Sequence, residues 1–60
     1  MKNLILKNGY KTIEFCGTVK NKEIEVEIED DMQDLYAYTW LNKQDLIVLS
    51  KHINSLIKEM

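Results

Sequence analysis

The chain has 60 residues, of which 30% are charged, and its formal net charge is −2 at pH 7. This length allows one domain, residues 1–60, and a chain this short buries only about 60% of its unfolded surface. We therefore expect its stability to require good local design or association into a homodimer. Its only cysteine, Cys16, excludes an internal disulfide, and one histidine beside one cysteine argues against a dedicated zinc site.

The composition predicts a cytoplasmic protein that does not enter a membrane. There is no signal-peptide pattern, and no apolar run approaches the ~18 residues that a membrane helix needs. The basic residues are all lysine, and abundant Lys, Asn and Ile are typical of AT-rich genomes. With the small size, this indicates a phage-like accessory protein acting in a host cytoplasm.

The first two predicted strands, residues 3–7 and 10–16, form a hairpin around Asn8-Gly9. Both turn residues tolerate the positive φ of a type I′ turn. A two-residue turn there pairs Leu4 with Ile13 and Ile5 with Thr12. Gly17 is predicted to end or bulge the second strand.

The third predicted strand, residues 22–29, alternates strictly between apolar and acidic residues, which is typical of a strand with one buried face. A turn centred on Lys20 and Asn21 places Phe15 opposite Val26 and Ile13 opposite Ile28. The strand then enters a polar loop, residues 30–34.

The fourth predicted strand, residues 35–41, has two competing registers. A three-residue loop places Tyr36, Tyr38 and Trp40 beside the apolar side of the third strand. A four-residue loop places Ala37 and Thr39 there and turns the aromatic residues toward the glutamates. We prefer the first register because it buries the larger apolar set, and each large side chain contributes ~1.5–3 kcal/mol when fully buried.

A helix is predicted to follow Asn42, which is a good N-cap. Asp45 at N3 approximates a capping box, and Leu41 and Leu46 occupy the hydrophobic-staple positions. An apolar stripe about 100° wide follows at helical spacing: Leu46, Leu49, Ile53, Leu56, Ile57 and Met60.

The predicted fold class is α+β: a four-stranded antiparallel β-meander, order 1-2-3-4, with one C-terminal helix on one face. The inner face, toward the helix, is predicted to contain Leu4, Leu6, Ile13, Phe15, Ile24, Val26, Ile28, Tyr36, Tyr38 and Trp40. The outer face is predicted to contain Ile5, Tyr10, Thr12, Glu14, Cys16, Glu23, Glu25, Glu27, Glu29, Leu35, Ala37 and Thr39.

No catalytic residues, cofactor or metal are expected. Cys16 on a strand and His52 on the helix are predicted to lie on opposite sides of the sheet, so they cannot form a nucleophile–base pair. The loop acids lack the alternating ligands and the glycine of a calcium loop.

The acidic face is the most informative feature, because residues 23–34 contain seven acids and no base. The predicted register places Glu14 directly opposite Glu27, and opposed like charges destabilise a sheet. We therefore expect a non-enzymatic protein-binding module that presents this face to a basic protein surface, as a phage-type inhibitor or nucleic-acid mimic would. The expected binding residues are Glu14, Glu23, Glu25, Glu27, Glu29, Asp30, Asp31 and Asp34.

The alternative is a structural or assembly protein that self-associates through apolar surface on the helix or an edge strand. Its expected contact residues are Ile47, Val48, Tyr36 and Tyr38. Nucleic acid is an unlikely partner. In the alternative register the aromatic rings would lie beside Glu25 and Glu27, whose carboxylates repel phosphate, and the lysines cluster instead at the first hairpin and nearby turns.

Overall fold

Four antiparallel strands are followed by one helix in a computed structural model that describes residues 2–60. The sheet has the order β1-β2-β3-β4, which confirms the predicted α+β meander with a C-terminal helix. The element bounds are β1 Leu4–Asn8, β2 Lys11–Phe15, β3 Glu23–Asp30, β4 Leu35–Asn42 and α1 Lys43–Glu59.

The turn of the first hairpin lies one residue later than predicted. Asn8 belongs to β1 and pairs with Lys11, so the two loop residues are Gly9 and Tyr10. Gly9 has φ 63°, whereas Asn8 and Tyr10 have no positive φ. Positive φ at the first loop position alone, occupied by glycine, is the type II′ pattern. The predicted type I′ turn at Asn8-Gly9 is therefore wrong.

This shift corrects the β1–β2 register by two residues. Leu4 lies opposite Phe15, and Ile5 lies opposite Glu14, instead of Ile13 and Thr12. The same register pairs Leu6 with Ile13, whereas the predicted register would have placed Leu6 opposite a lysine. Apolar residues thus face apolar residues on both strands, and a shift of two leaves every side chain on its predicted face.

The β2–β3 register is as predicted, with Phe15 opposite Val26 and Ile13 opposite Ile28. The predicted turn centre at Lys20 and Asn21 is wrong, because Lys20 bridges to Glu23 and the turn is centred on Asn21 and Lys22, which have φ 52° and 64°. Because this centre lies one residue later than the strand register implies, the chain bulges after Phe15. The expectation that the strand ends or bulges near Gly17 is confirmed, since β2 ends at Phe15.

The preferred β3–β4 register is wrong, and the four-residue-loop register is the correct one. Ala37 lies opposite Ile28 and Thr39 opposite Val26. The loop itself supplies the reason. The Asp30 carboxylate accepts hydrogen bonds from the backbone N–H groups of Met32 and Gln33, at 3.1 and 3.3 Å, and Asp34 adopts φ 53°. Aspartate suits both roles, as an acceptor for nearby backbone N–H groups and as a residue that tolerates the left-handed conformation.

The register correction exchanges the two faces of β4. Tyr36, Tyr38 and Trp40 lie on the outer face rather than the inner face, and Leu35, Ala37 and Thr39 lie on the inner face. Leu35 and Ala37 line an open cleft with Ile13 and Ile28, and no residue of α1 lines that cleft.

The predicted helix start is confirmed. The Asn42 side chain accepts a hydrogen bond from the Asp45 backbone N–H at 2.9 Å, and the Asp45 carboxylate accepts one from the Asn42 backbone N–H at 3.1 Å. This reciprocal pair is a capping box. Leu41 and Leu46 are both half-buried and line one cleft together with Ile24.

The core is small and lies where α1 crosses the inner face. Val26, at 6% exposure, is the one buried residue among residues 2–60. A cleft between α1 and the first hairpin is lined by Leu4, Leu6 and Phe15 from the sheet and by Leu46, Leu49 and Ile53 from the helix. The helical stripe therefore faces the even-numbered residues of β3, and the glutamates of β3 face away from it.

Candidate protein-binding surface

The outer face combines a row of carboxylates with a row of aromatic rings. Across β3 and β4, Glu25 pairs with Trp40, Glu27 with Tyr38, and Glu29 with Tyr36. Glu14 of β2 extends the acidic row on the other side, directly opposite Glu27. We call this set the acidic–aromatic surface: Glu14, Glu25, Glu27, Glu29, Tyr36, Tyr38 and Trp40.

The carboxylates at the centre of this surface repel one another. Partial burial, followed by the hydrogen-bonding proximity and negative charge of Glu27, raises the pKa of Glu25 above its ordinary value. No lysine is among the groups that shift this pKa. The predicted juxtaposition of Glu14 and Glu27 is confirmed, and such a like-charge pair is unfavourable in a sheet.

The aromatic row is exposed beside these charges. Tyr36, Tyr38 and Trp40 have exposed fractions of 58%, 60% and 41%. The rings of Tyr36 and Tyr38 lie 6.3 Å apart between centroids, with their planes tilted by 44°. Partial burial, then the charges of Glu27 and Glu25 and the neighbouring Tyr38, raise the pKa of Tyr36. Carboxylates and ring faces both attract cations, so this surface is suited to lysine or arginine side chains.

Asn3 is a contributor that the sequence interpretation missed. Its Nδ2 donates a hydrogen bond to Glu14 Oε2 at 2.7 Å, and its Oδ1 accepts one from the Gly17 backbone N–H at 2.8 Å. It thereby ties the end of β2 to the segment before β1 and orients the Glu14 carboxylate. Asn3 and Glu14 line a small depression of about 50 Å³ on the outer face, together with Cys16, Glu25 and Glu27. No local pattern marks Asn3, because both of its partners are more than ten residues away.

The remaining predicted acids lie at the margins. Glu23 pairs with Asn42 at one end of the sheet and lines a depression with Trp40. Asp30, Asp31 and Asp34 lie at the opposite end, where Asp30 is engaged by its own loop and Asp31 donates its backbone N–H to the Tyr10 carbonyl at 3.0 Å. The structure thus brings four of the eight predicted acidic residues together on the acidic–aromatic surface.

Strand β4 has an open edge next to the aromatic row. It pairs with β3 alone in the sheet of the described residues. Its sequence, LYAYTWLN, contains neither lysine nor proline, which are the residues that most often prevent an edge strand from pairing with another chain. An extended segment hydrogen-bonded to this edge would run directly beside Tyr36, Tyr38 and Trp40.

The helix residues predicted for self-association are accessible. Ile47 and Val48 are 39% and 57% exposed. Within residues 2–60, no cluster of three or more His, Cys, Asp or Glu side chains has the geometry to hold a metal ion. No helix in the described chain combines the length and apolar character required to cross a bilayer.

Comparisons of the chain with protein families, with curated proteins and with solved structures find no significant match.

Proposed function

We propose that this protein is a non-enzymatic binding module whose acidic–aromatic surface receives a basic segment of another protein. The observation that carries the proposal is the β3–β4 register, which sets Trp40, Tyr38 and Tyr36 beside Glu25, Glu27 and Glu29. An acidic row alone is typical of the solvated side of a sheet. Exposed aromatic rings interleaved with that row are not needed for solubility.

Electrostatics support a cationic partner. Burial and then the adjacent Glu27 raise the pKa of Glu25, and a lysine or arginine side chain between Glu25 and Glu27 offsets the repulsion between the two carboxylates. Such a residue gains charge-assisted hydrogen bonds from the carboxylates and a cation–π contact from the adjacent ring. Binding removes an unfavourable term of the free protein, which adds to its affinity.

The proposed partner class is a protein with a basic groove or an extended basic segment, and the groove of a nucleic-acid enzyme has this character. Carboxylates on alternate strand residues repeat every ~6.6–6.8 Å, which is close to the spacing of successive phosphates along one strand. In such a groove the protein would act as an inhibitor that competes with nucleic acid.

The direct test uses a soluble peptide of alternating Arg and Thr as the basic probe. Trp40 is the one tryptophan of the chain and lies on the proposed surface, so its fluorescence reports occupancy. We expect the peptide to change Trp40 emission at low salt. The double variant Glu25→Lys with Glu27→Lys should weaken binding by about tenfold or more.

A matched control separates the surface from net charge. Asp31→Lys with Glu59→Lys changes the charge from −2 to +2, as the Glu25 and Glu27 substitutions do, but at exposed sites off the surface. We expect the control to bind nearly as the wild type does. Equal weakening in both double variants, or none in either, would contradict the proposal.

A further inference from the structure

A single chain leaves much of its apolar surface in contact with solvent. It exposes 5501 Å², whereas a folded monomer of 7.1 kDa is expected to expose about 4,100 Å². Its radius of gyration is 12.8 Å, against about 10.4 Å for a compact 60-residue domain. The excess is roughly 1,400 Å² per chain.

The first uncovered region is a corner of the inner face that α1 does not reach. It includes Ile13, Ile28 and Leu35, which are 37%, 51% and 58% exposed. These residues and Ala37 line an open cleft of about 400 Å³. We call this region the uncovered corner. The charged residues at its margin are Lys11, Glu29 and Asp30, of which Lys11 and Asp30 are cross-strand partners of opposite sign.

The second uncovered region is the end of α1. The helix crosses from β4 toward the first hairpin, where Leu49 and Ile53 face Leu4 and Leu6. Its last two turns continue the apolar stripe beyond those contacts. We call them the free helix end: Leu56, Ile57 and Met60, which are 42%, 61% and 98% exposed.

We propose that the protein is a homodimer in which the free helix end of each copy covers the uncovered corner of the other. Both regions are apolar, and in an isologous dimer the contact of one copy's free helix end with the other copy's uncovered corner is made twice, once in each direction. The excess exposed area of each chain is also large enough for a dimer interface. Standard interfaces bury about 800 Å² per partner, and obligate dimers bury about 1,000 Å² or more.

The charge distribution favours the inner face over the outer face as the dimer interface. Two outer faces brought together would oppose Glu14, Glu25, Glu27 and Glu29 of one chain to the same residues of the other, and like charges in contact are strongly disfavoured. The uncovered corner contains no such cluster. A partner that covers apolar surface would stabilise a chain whose one buried residue within the described part is Val26.

The test measures mass and melting temperature of the full chain over a wide concentration range. We expect the wild-type mass to be twice 7.1 kDa, and its melting temperature to rise with concentration because dimerisation couples to folding. Ile57→Lys and Ile28→Lys, one from each half of the interface, should weaken association by about thirtyfold or more. Both residues are at least half exposed in a single chain, so the variants leave that chain's own packing nearly intact.

Val48→Lys is the matched control, because Val48 has similar exposure on the same helix but lies off the stripe. We expect it to remain a dimer. A folded wild-type monomer at all concentrations would overturn the proposal, as would dimers that survive both interface substitutions or that Val48→Lys alone dissociates. An unfolded Ile57→Lys supports an obligate dimer if wild-type melting depends on concentration, and opposes it if melting does not.

Discussion

Neighbouring glutamates on the outer face destabilise the isolated fold at neutral pH. Glu25 is half-buried and lies beside Glu27. Its burial, and then the proximity and charge of Glu27, raise its pKa. The folded protein therefore holds a proton on Glu25 more tightly than the unfolded chain does. The favourable contribution of the protonated group is complete below its ordinary pKa and is lost as pH rises through the raised folded value.

This linkage predicts the behaviour of Glu25→Gln. At neutral pH the variant should melt at a higher temperature than the wild type, because it lacks the charge that the fold disfavours. As pH falls below the ordinary carboxyl range, the two melting curves should converge. Thermal melting followed by circular dichroism from pH 3 to 8, a span that brackets carboxyl titration, measures the difference.

Asp31→Asn is the control for this effect, because it removes the same charge from an exposed loop outside the acidic–aromatic surface. We expect it to raise the melting temperature less than Glu25→Gln does at neutral pH. Equal gains would mean that net charge, rather than the local cluster, governs stability.

The individual elements form for reasons that lie close together in the chain, and the first hairpin illustrates this. Gly9 has φ 63°, and a Cβ added there would meet no atom within 4 Å. Any cost of substitution at Gly9 is therefore backbone strain rather than collision. Asn8 has ordinary strand conformation and pairs with Lys11.

Gly9→Ala should therefore destabilise the fold by about 1–3 kcal/mol, the cost of holding an L-residue in a sparsely populated conformation with positive φ. Asn8→Thr should be neutral or slightly stabilising, because threonine favours strands. Chemical denaturation of the two variants distinguishes the turns. A type I′ turn at Asn8-Gly9 would reverse the second expectation, since a β-branched residue resists positive φ.

The whole molecule is a thin two-sided body, with extents of 34 × 32 × 18 Å. Its inner side is apolar and incompletely covered, while its outer side is acidic and aromatic. The two proposals assign one partner to each side: a second copy to the inner side and a basic protein to the outer side. A dimer of this kind leaves both acidic–aromatic surfaces accessible.

The two sides should respond differently to salt. Binding of the basic peptide should weaken steeply as ionic strength rises, because exposed charges are screened beyond a Debye length of ≈ 10 Å at 0.1 M. The dimer should persist or strengthen, because apolar burial is not screened. Parallel titrations of Trp40 fluorescence and of solution mass against salt check this. Dissociation of the dimer by moderate salt would contradict the apolar interface without affecting the binding proposal.

Much of the fold follows from local pattern. Strict alternation in residues 23–29 defined β3 and its two faces, and the residues around Asn42 defined the helix start, because both signals depend on neighbours a few positions away. The opposition of Glu14 and Glu27 followed once the β2–β3 pairing was inferred from apolar alternation.

The position of the aromatic row required three-dimensional information. Loops of three and of four residues are both compatible with the strand patterns, and apolar burial favoured the three-residue loop. The two loops differ by one residue in register, and one residue moves every side chain of β4 to the other face. The choice depended on hydrogen bonds of Asp30 and on the left-handed Asp34. The uncovered corner likewise could not be predicted from the sequence pattern. It depends on where α1 crosses the sheet, and that crossing is set by packing between residues distant in sequence.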